Sequence, residues 1–156
     1  MWTDNASKID KIMKIKKVTK REIEQVAKLA VKMWDSNTED ELKADFEDYI
    51  NNGGAVFLAY RDNKAIAFAQ CGLRHDYVEG TKSSPVGYLE GIFVVEEERK
   101  KGVAKQLLNA CQNYAKEQGC TEFASDCELE NEESLRFHLK MGFAEANRII
   151  CFTKKL

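Results

Sequence analysis

One stretch constrains the fold more than any other. An apolar run, Gly91-Ile92-Phe93-Val94-Val95, is followed by three acids and then by Arg99-Lys100-Lys101-Gly102-Val103-Ala104. From Gly102 to Gln118 the pattern turns helical, with Val103, Ala104, Leu107, Leu108, Cys111 and Ala115 on one face. A buried strand therefore feeds a glycine turn that opens a long amphipathic helix, and that helix must lay its apolar face back on a sheet. The first amides of such a helix have no internal partners and carry the positive end of the helix dipole. Together they make a seat for phosphate. Gly102 lets the backbone approach, because a Cβ there would collide with the phosphate. Arg99, Lys100 and Lys101 add positive charge at the rim. Taken alone, the turn reads equally well as a solvated basic turn.

The other periodicities fill in the layers. Lys14 to Val18 reads as a first strand, and Thr19 with Glu22 forms a capping box. Ile23, Val26, Ala27, Ala30, Val31 and Trp34 recur at threes and fours as a helical face. A second helix spans Glu39 to Ile50, capped by Thr38, with Leu42, Phe46, Tyr49 and Ile50 inward. Ala55 to Tyr60 and Ala65 to Leu73 are strands around the hairpin turn Arg61-Asp62-Asn63-Lys64. A polar excursion from Arg74 to Ser84 leads to the strand Val86 to Val95. Gly119 caps the long helix; Glu122 to Ser125 is a short strand and Glu132 to Met141 a short helix. Phe143 onward and Arg148 to Thr153 read as the last strands. The order β-α-α-β-β-β-α-β-α-β-β is a mixed α/β layer fold. With 156 residues and no repeat or linker, residues 14–156 read as a single domain behind a polar N-terminal extension, 1–13.

Charge and cysteine usage exclude several classes. A net charge of −2 gives no basic field for nucleic acid, and the lysines from Lys8 to Arg21 read as a solvated tail and strand. No apolar run approaches the roughly 20 residues that span a bilayer. Met1 to Lys17 lacks the apolar core of a secretory signal. Cys71, Cys111, Cys120, Cys127 and Cys151 are odd in number and form no CxxC pair, which argues against a disulfide framework or a zinc site. They read as reduced thiols of a cytoplasmic protein without a metal.

The Arg-x-x-Gly-x-Ala turn after an apolar strand resembles the acetyl-CoA signature of the GNAT acetyltransferases. Asn131, Ser134 and the run His138 to Phe143 resemble that superfamily's Asn-helix-Gly-Phe block. Further blocks resemble one branch, the aminoglycoside 6′-N-acetyltransferases: residues 74–80 (Arg-His-Asp-Tyr-Val-Glu-Gly), 83–86 (Ser-Ser-Pro-Val), 89–94 (Leu-Glu-Gly-Ile-Phe-Val), 102–107 and 124–126 (Ala-Ser-Asp). The resemblance implies a central, mostly antiparallel sheet with a splayed strand pair, flanked by about four helices. It implies acetyl-CoA as co-substrate, contacted by Ile92, Phe93 and Val94, by Lys100, Lys101, Gly102, Val103, Ala104 and Lys105, and by Asn131. It implies an aminoglycoside site at Trp34, Tyr77, Glu90 and Asp126, and a homodimer that draws on the C-terminal strands. Two positions depart from relatives: Asn37 stands where they carry a histidine, and Asn147 where some carry a substrate-binding acid. His138 stands where many members carry a tyrosine that protonates the leaving thiolate.

The chemistry of the residues fits such an acceptor. An aminoglycoside is a polycation, so its site needs carboxylates and aromatic faces. Glu90 and Asp126 sit at the ends of adjacent strands beside the acyl-CoA turn, which makes them candidates to accept the amine proton or to orient the amine. His138 is the candidate general acid, and a backbone N–H near Val94 the candidate oxyanion donor. Cys127, beside Asp126, is the nucleophile that a ping-pong route would need, although no paired histidine is evident. Two other readings stand beside this one. The acidic pocket suits a polyamine equally well, and the same fold also suits a non-catalytic acyl-CoA-binding protein.

Overall fold

The computed structural model describes residues 13–156. The elements are β1 (Met13–Lys17), α1 (Ile23–Ala30), α2 (Glu39–Asn51), β2 (Ala55–Arg61), β3 (Lys64–Arg74), β4 (Val86–Val94), α3 (Val103–Glu117), β5 (Phe123–Ser125) and α4 (Glu132–Lys140). Of the expected N-terminal extension, 1–12 lie outside the described residues, and Met13 already belongs to β1.

Local signals set the helix starts. Thr19 and Glu22 exchange side-chain and backbone hydrogen bonds, as do Thr38 and Glu41 at the start of α2. Each pair satisfies donors that the first turn leaves open. The Thr19 box first closes a short 3-10 turn, so α1 begins at Ile23 and ends at Ala30. Trp34 consequently lies beyond the helix, its N–H still bonded to the Ala30 carbonyl at 2.8 Å. The β2–β3 hairpin turns on two left-handed residues, Asp62 (φ 51°) and Asn63 (φ 63°), whose twist matches that of the strands.

The sheet runs in sequence order, β1 to β5. The first four strands are antiparallel and β5 joins β4 in parallel. Helices cover both faces, since β2 is buried at every position from Ala55 to Leu58 and on to Ala59. Adjacent residues of β3 show the sidedness: Gly72 lies under Tyr49 of α2, whereas the Cys71 thiol meets Cys111 of α3. Successive strand residues point to opposite faces, so α2 lies on one face, with α1 packed beside it, and α3 on the other. Phe68, Leu58, Leu107 and Leu108 are fully buried in the core, each contributing about 1.5–3 kcal/mol of apolar burial.

Two irregularities shape the functional end. Gln70 pairs with Gly91 and Cys71 with Leu89, so Glu90 is an extra residue in β4, a β-bulge. The β4–β5 pairing covers only Gly87 to Leu89 and stops one residue before that bulge. A bulge bends its strand and ends local pairing. Beyond Leu89, β4 stays with β3 alone, and its parting from β5 is a splay.

The C-terminal strands expected from Phe143 onward and from Arg148 to Thr153 are not formed. Residues 143–156 carry neither helix nor strand. Ile149, Ile150 and Phe152 are 63%, 79% and 87% exposed. An extended segment becomes a strand only when a neighbouring edge takes up its backbone groups. The adjacent edge strand, β5, is three residues long and gives this segment no ladder.

Candidate active site

The splay brings Glu90 and Asp126 together at one end of the sheet. Where β4 leaves β5, Glu90 and Asp126 lie on the α2 face. Asp126 follows β5 directly and accepts a hydrogen bond from the Tyr88 hydroxyl. Arg74 Nη2 donates to both carboxylate oxygens of Glu90, at 3.2 and 3.1 Å. The same guanidinium lies 3.4 Å over the Tyr88 ring. Glu90, Arg74, Tyr88 and Asp126 thus form one connected polar group. Burial, then the bond to Asp126, pushes the Tyr88 phenol well above its ordinary range, so the hydroxyl stays a donor. Trp34 covers the next turn of backbone. A Cβ on Gly91 would meet its ring at 2.9 Å, so the glycine is what lets the indole lie on β4 just past the bulge. Trp34 also walls a cavity of about 290 Å³ lined by Asn37, Leu42, Asp45, Phe46 and Gln70. Tyr77 stands apart from this group. It is 79% exposed on the β3–β4 connection and donates to Glu79 at 3.1 Å.

The turn expected to seat a phosphate opens α3 as the sequence suggests, with one difference in its geometry. Lys100 (φ 59°) and Gly102 (φ 80°) are both left-handed, and Gly102 is the N-cap of α3. The first helical bond runs from Gln106 N–H to the Gly102 carbonyl, so the amides of Val103, Ala104 and Lys105 precede the ladder and remain donors. Apart from Gly102 and its two chain neighbours, no atom of the described residues lies within 4 Å of where a Gly102 Cβ would stand. Open donors under open space fit a phosphate group. The difference is Arg99, expected at the rim. It folds back instead, its Nε donating to the Val94 carbonyl at 3.0 Å, and so ties the turn to β4. Glu98 holds the turn from below, between Arg61 at 2.9 Å and Lys101 at 3.7 Å. Ile92, Phe93 and Val94 are half-buried on the stretch of β4 that β5 has left.

On the α3 face lies a second group. Phe123 and Ser125 share a side of β5, and Phe123 with Ala115 of α3 fills the space beside Gly87. His138 of α4 places Nε2 at 2.8 Å from Ser125 Oγ and Nδ1 at 2.7 Å from the Ser134 carbonyl. Asn131 caps α4 by accepting from Ser134 N–H at 3.0 Å, which leaves its amide NH2 available to a ligand. Cys127 is exposed, and the imidazole of this site is bonded to Ser125 and Ser134 instead. Tyr88, Arg74 and Ser125 join the site through tertiary contacts. In the sequence Tyr88 and Ser125 read as strand residues and Arg74 as the start of the polar excursion; the blocks 74–80 and 124–126 mark Arg74 and Ser125, whereas no sequence signal marks Tyr88.

The Acetyltransferase (GNAT) family profile matches residues 23–143. The chain is 41% identical to aminoglycoside N(6′)-acetyltransferase type 1 of Salmonella enteritidis, over 92% of this chain and 99% of that one. It is 36% identical to the protein of the same name from Acinetobacter haemolyticus, with the same two coverages. Among solved structures, AAC(6′)-Iy in complex with the bisubstrate analogue CoA-S-monomethyl-acetylneamine superposes with a TM-score of 0.89 at 40% identity, covering 93% of this chain and 99% of that one. AAC(6′)-Ih from Acinetobacter baumannii gives 0.88 at 36%, covering 92% and 99%. In sequence and in fold, the chain belongs to the GNAT acetyltransferase family, in its aminoglycoside 6′-N-acetyltransferase branch.

Proposed function

We propose that the protein transfers acetyl from acetyl-CoA to the 6′-amine of an aminoglycoside, as an antibiotic-resistance enzyme of the cytoplasm. The observation that carries this reading is the splay itself: a bulged β4 leaves β5 where Glu90 and Asp126 stand, and the same strand leads on into the turn with the open amides of α3. The pyrophosphate of the co-substrate rests on those amides, near Lys100, Lys101 and Lys105, and its pantetheine arm lies along Ile92 to Val94. The arm of Asn131 left free by its cap faces the same molecule. Trp34, Tyr77, Glu90 and Asp126 receive the polycation. All five cysteines are free thiols, which supports a reducing compartment.

The chemistry is direct transfer. The amine must lose a proton to attack. Asp126 or Glu90 takes it, and either carboxylate holds the amine in line beforehand. A β4 backbone N–H near Val94 meets the charge that develops on the thioester oxygen. His138, on the opposite face of the sheet, supplies the proton that the departing thiolate needs. Charge therefore moves across the splay, from an acid pair on one side to an imidazole on the other. Initial-rate kinetics test the order of events. Intersecting double-reciprocal lines are expected, whereas parallel lines or an acetylated Cys127 would replace direct transfer with a ping-pong route. Comparing spermidine with aminoglycosides tests the acceptor, and turnover of spermidine alone would transfer the assignment to a polyamine.

The exposed apolar residues Ile149, Ile150 and Phe152 support a homodimer in which a second copy covers the C-terminal segment. Sedimentation should show a dimer for the full chain and a monomer after removal of 148–156. Equal masses would assign the dimer contact elsewhere.

A further inference from the structure

Hydrogen-bond geometry around His138 fixes where its protons can sit. A carbonyl oxygen only accepts, so Nδ1, at 2.7 Å from the Ser134 carbonyl, carries a hydrogen in every protonation state. In the neutral ring Nε2 has only a lone pair, so Ser125 O–H must donate to it across 2.8 Å. Protonation of Nε2 reverses that bond. The ring then donates to Ser125 Oγ, and the single Ser125 hydrogen is released to another acceptor. The alternative acceptor in place is the Leu89 carbonyl, 3.3 Å away. Leu89 is the last residue of β4 paired with β5 before the Glu90 bulge. The charge on His138 therefore decides whether the Ser125 hydrogen points into α4 or toward the mouth of the splay. The groups against the ring are Ser125, Ser134, Phe137 and Phe143, and none of them ionises near neutrality. Both ring nitrogens are engaged, so a proton leaves the ring toward the splay through Ser125 Oγ.

We propose that Ser125 is a catalytic residue, whose hydroxyl hands a proton to the departing CoA thiolate and is recharged by His138. The proposal rests on the acetyl-transfer reading above. As the C–S bond breaks, its electron pair passes to sulfur. Sulfur takes the Ser125 hydrogen while Oγ takes the hydrogen on Nε2. His138 is left neutral with Nδ1–H and regains its proton from water before the next turnover.

The test compares Ser125→Ala, Ser125→Thr, His138→Gln and the Ala/Gln double variant by single-turnover thiol release, CoA titration and 15N NMR of the ligand-free proteins. The chain has two histidines, so the ring signals are readily assigned. The alanine and glutamine variants should each release thiol at least about tenfold more slowly, as loss of general acid catalysis requires, with CoA affinity kept within about twofold of native. The double variant should be no slower than the slower single one, because a relay is lost only once. Ser125→Thr should recover most of the rate. In the free protein the Nε2 resonance should move in Ser125→Ala and return in Ser125→Thr. Native-rate release by Ser125→Ala or by His138→Gln would overturn the proposal, as would losses that multiply in the double variant. Absence of thiol release by the native chain with every amine would instead refute the acetyl-transfer reading itself.

Discussion

Gly102→Ala separates the two jobs of the glycine that opens α3. Gly102 has φ 80°, and a Cβ there meets no atom of the described residues within 4 Å beyond its chain neighbours. The substitution therefore costs only backbone strain within the protein, about 1–2 kcal/mol for an L-residue in the left-handed region. For a chain of this length that lowers Tm by about 2–8 °C. The new methyl group stands in open space at the start of α3, beside the phosphate that the proposed seat would hold. It displaces a phosphate from hydrogen bonds to charged groups worth about 1.5–3 kcal/mol, so the Kd for CoA should rise at least about tenfold. Gly119, past the other end of the same helix, is a matched control. It has φ 86° and an equally empty Cβ position. Gly119→Ala should lower Tm by a similar amount and leave CoA binding alone. The assay is thermal unfolding of both variants with calorimetric CoA titration well below Tm. Equal CoA affinities in the two variants would refute the assignment of the turn as the phosphate seat, whatever the Tm values.

Asp126→Asn should reduce kcat by about 10²-fold with CoA binding unchanged, and unchanged kcat would remove Asp126 from the chemistry. Tyr88→Phe takes away the donor to Asp126 and should cost up to about tenfold in kcat, with no loss expected if that bond is only structural. Glu22 is buried, and the Lys16 ammonium, then Thr19, holds its carboxyl down to about 2 from 4.5. A depressed carboxyl stabilises the fold above its unfolded value, so this contribution should be lost as pH falls from about 4.5 toward 2. It amounts to roughly 1–2 kcal/mol after screening, because the Lys16 side chain is 54% exposed. Glu22→Gln should flatten that part of the unfolding curve against pH, and an unchanged slope would contradict the assignment. Asn63→Gly relieves a left-handed residue in the hairpin turn but frees the unfolded chain, so stability in urea unfolding should change by less than about 1 kcal/mol, and a larger loss would contradict the turn geometry.

The legible parts of this fold are the local ones. Thr19 with Glu22, and Thr38 with Glu41, declare helix starts within four residues, and Asp62-Asn63 declares a hairpin by needing two left-handed positions. The strand, glycine turn and helix around Gly102 are legible for the same reason. The bulge at Glu90 is not, because an extra residue in one strand is defined only by the register of its partner, β3. The Tyr88–Asp126 bond joins residues 38 apart through a parallel pairing of three residues, too brief to leave a pattern. Arg99 illustrates a further limit: its charge is visible in sequence, but its direction is set by the Val94 carbonyl. The C-terminal apolar pattern reads as strands because alternation specifies a face, while a strand also needs an edge to join. The blocks that carry the family resemblance mark Glu90 and Asp126, and the roles proposed for them rest on their standing where β4 parts from β5.

The central claim concerns one amine. Two aminoglycosides identical except at the 6′ position, one with an amine and one with a hydroxyl, should be compared in a thiol-release assay with acetyl-CoA. The account predicts rapid release with the 6′-amine, a product acetylated at that nitrogen, and background release with the 6′-hydroxyl compound. Equal release with both would show that another amine is the acceptor and would contradict the assignment.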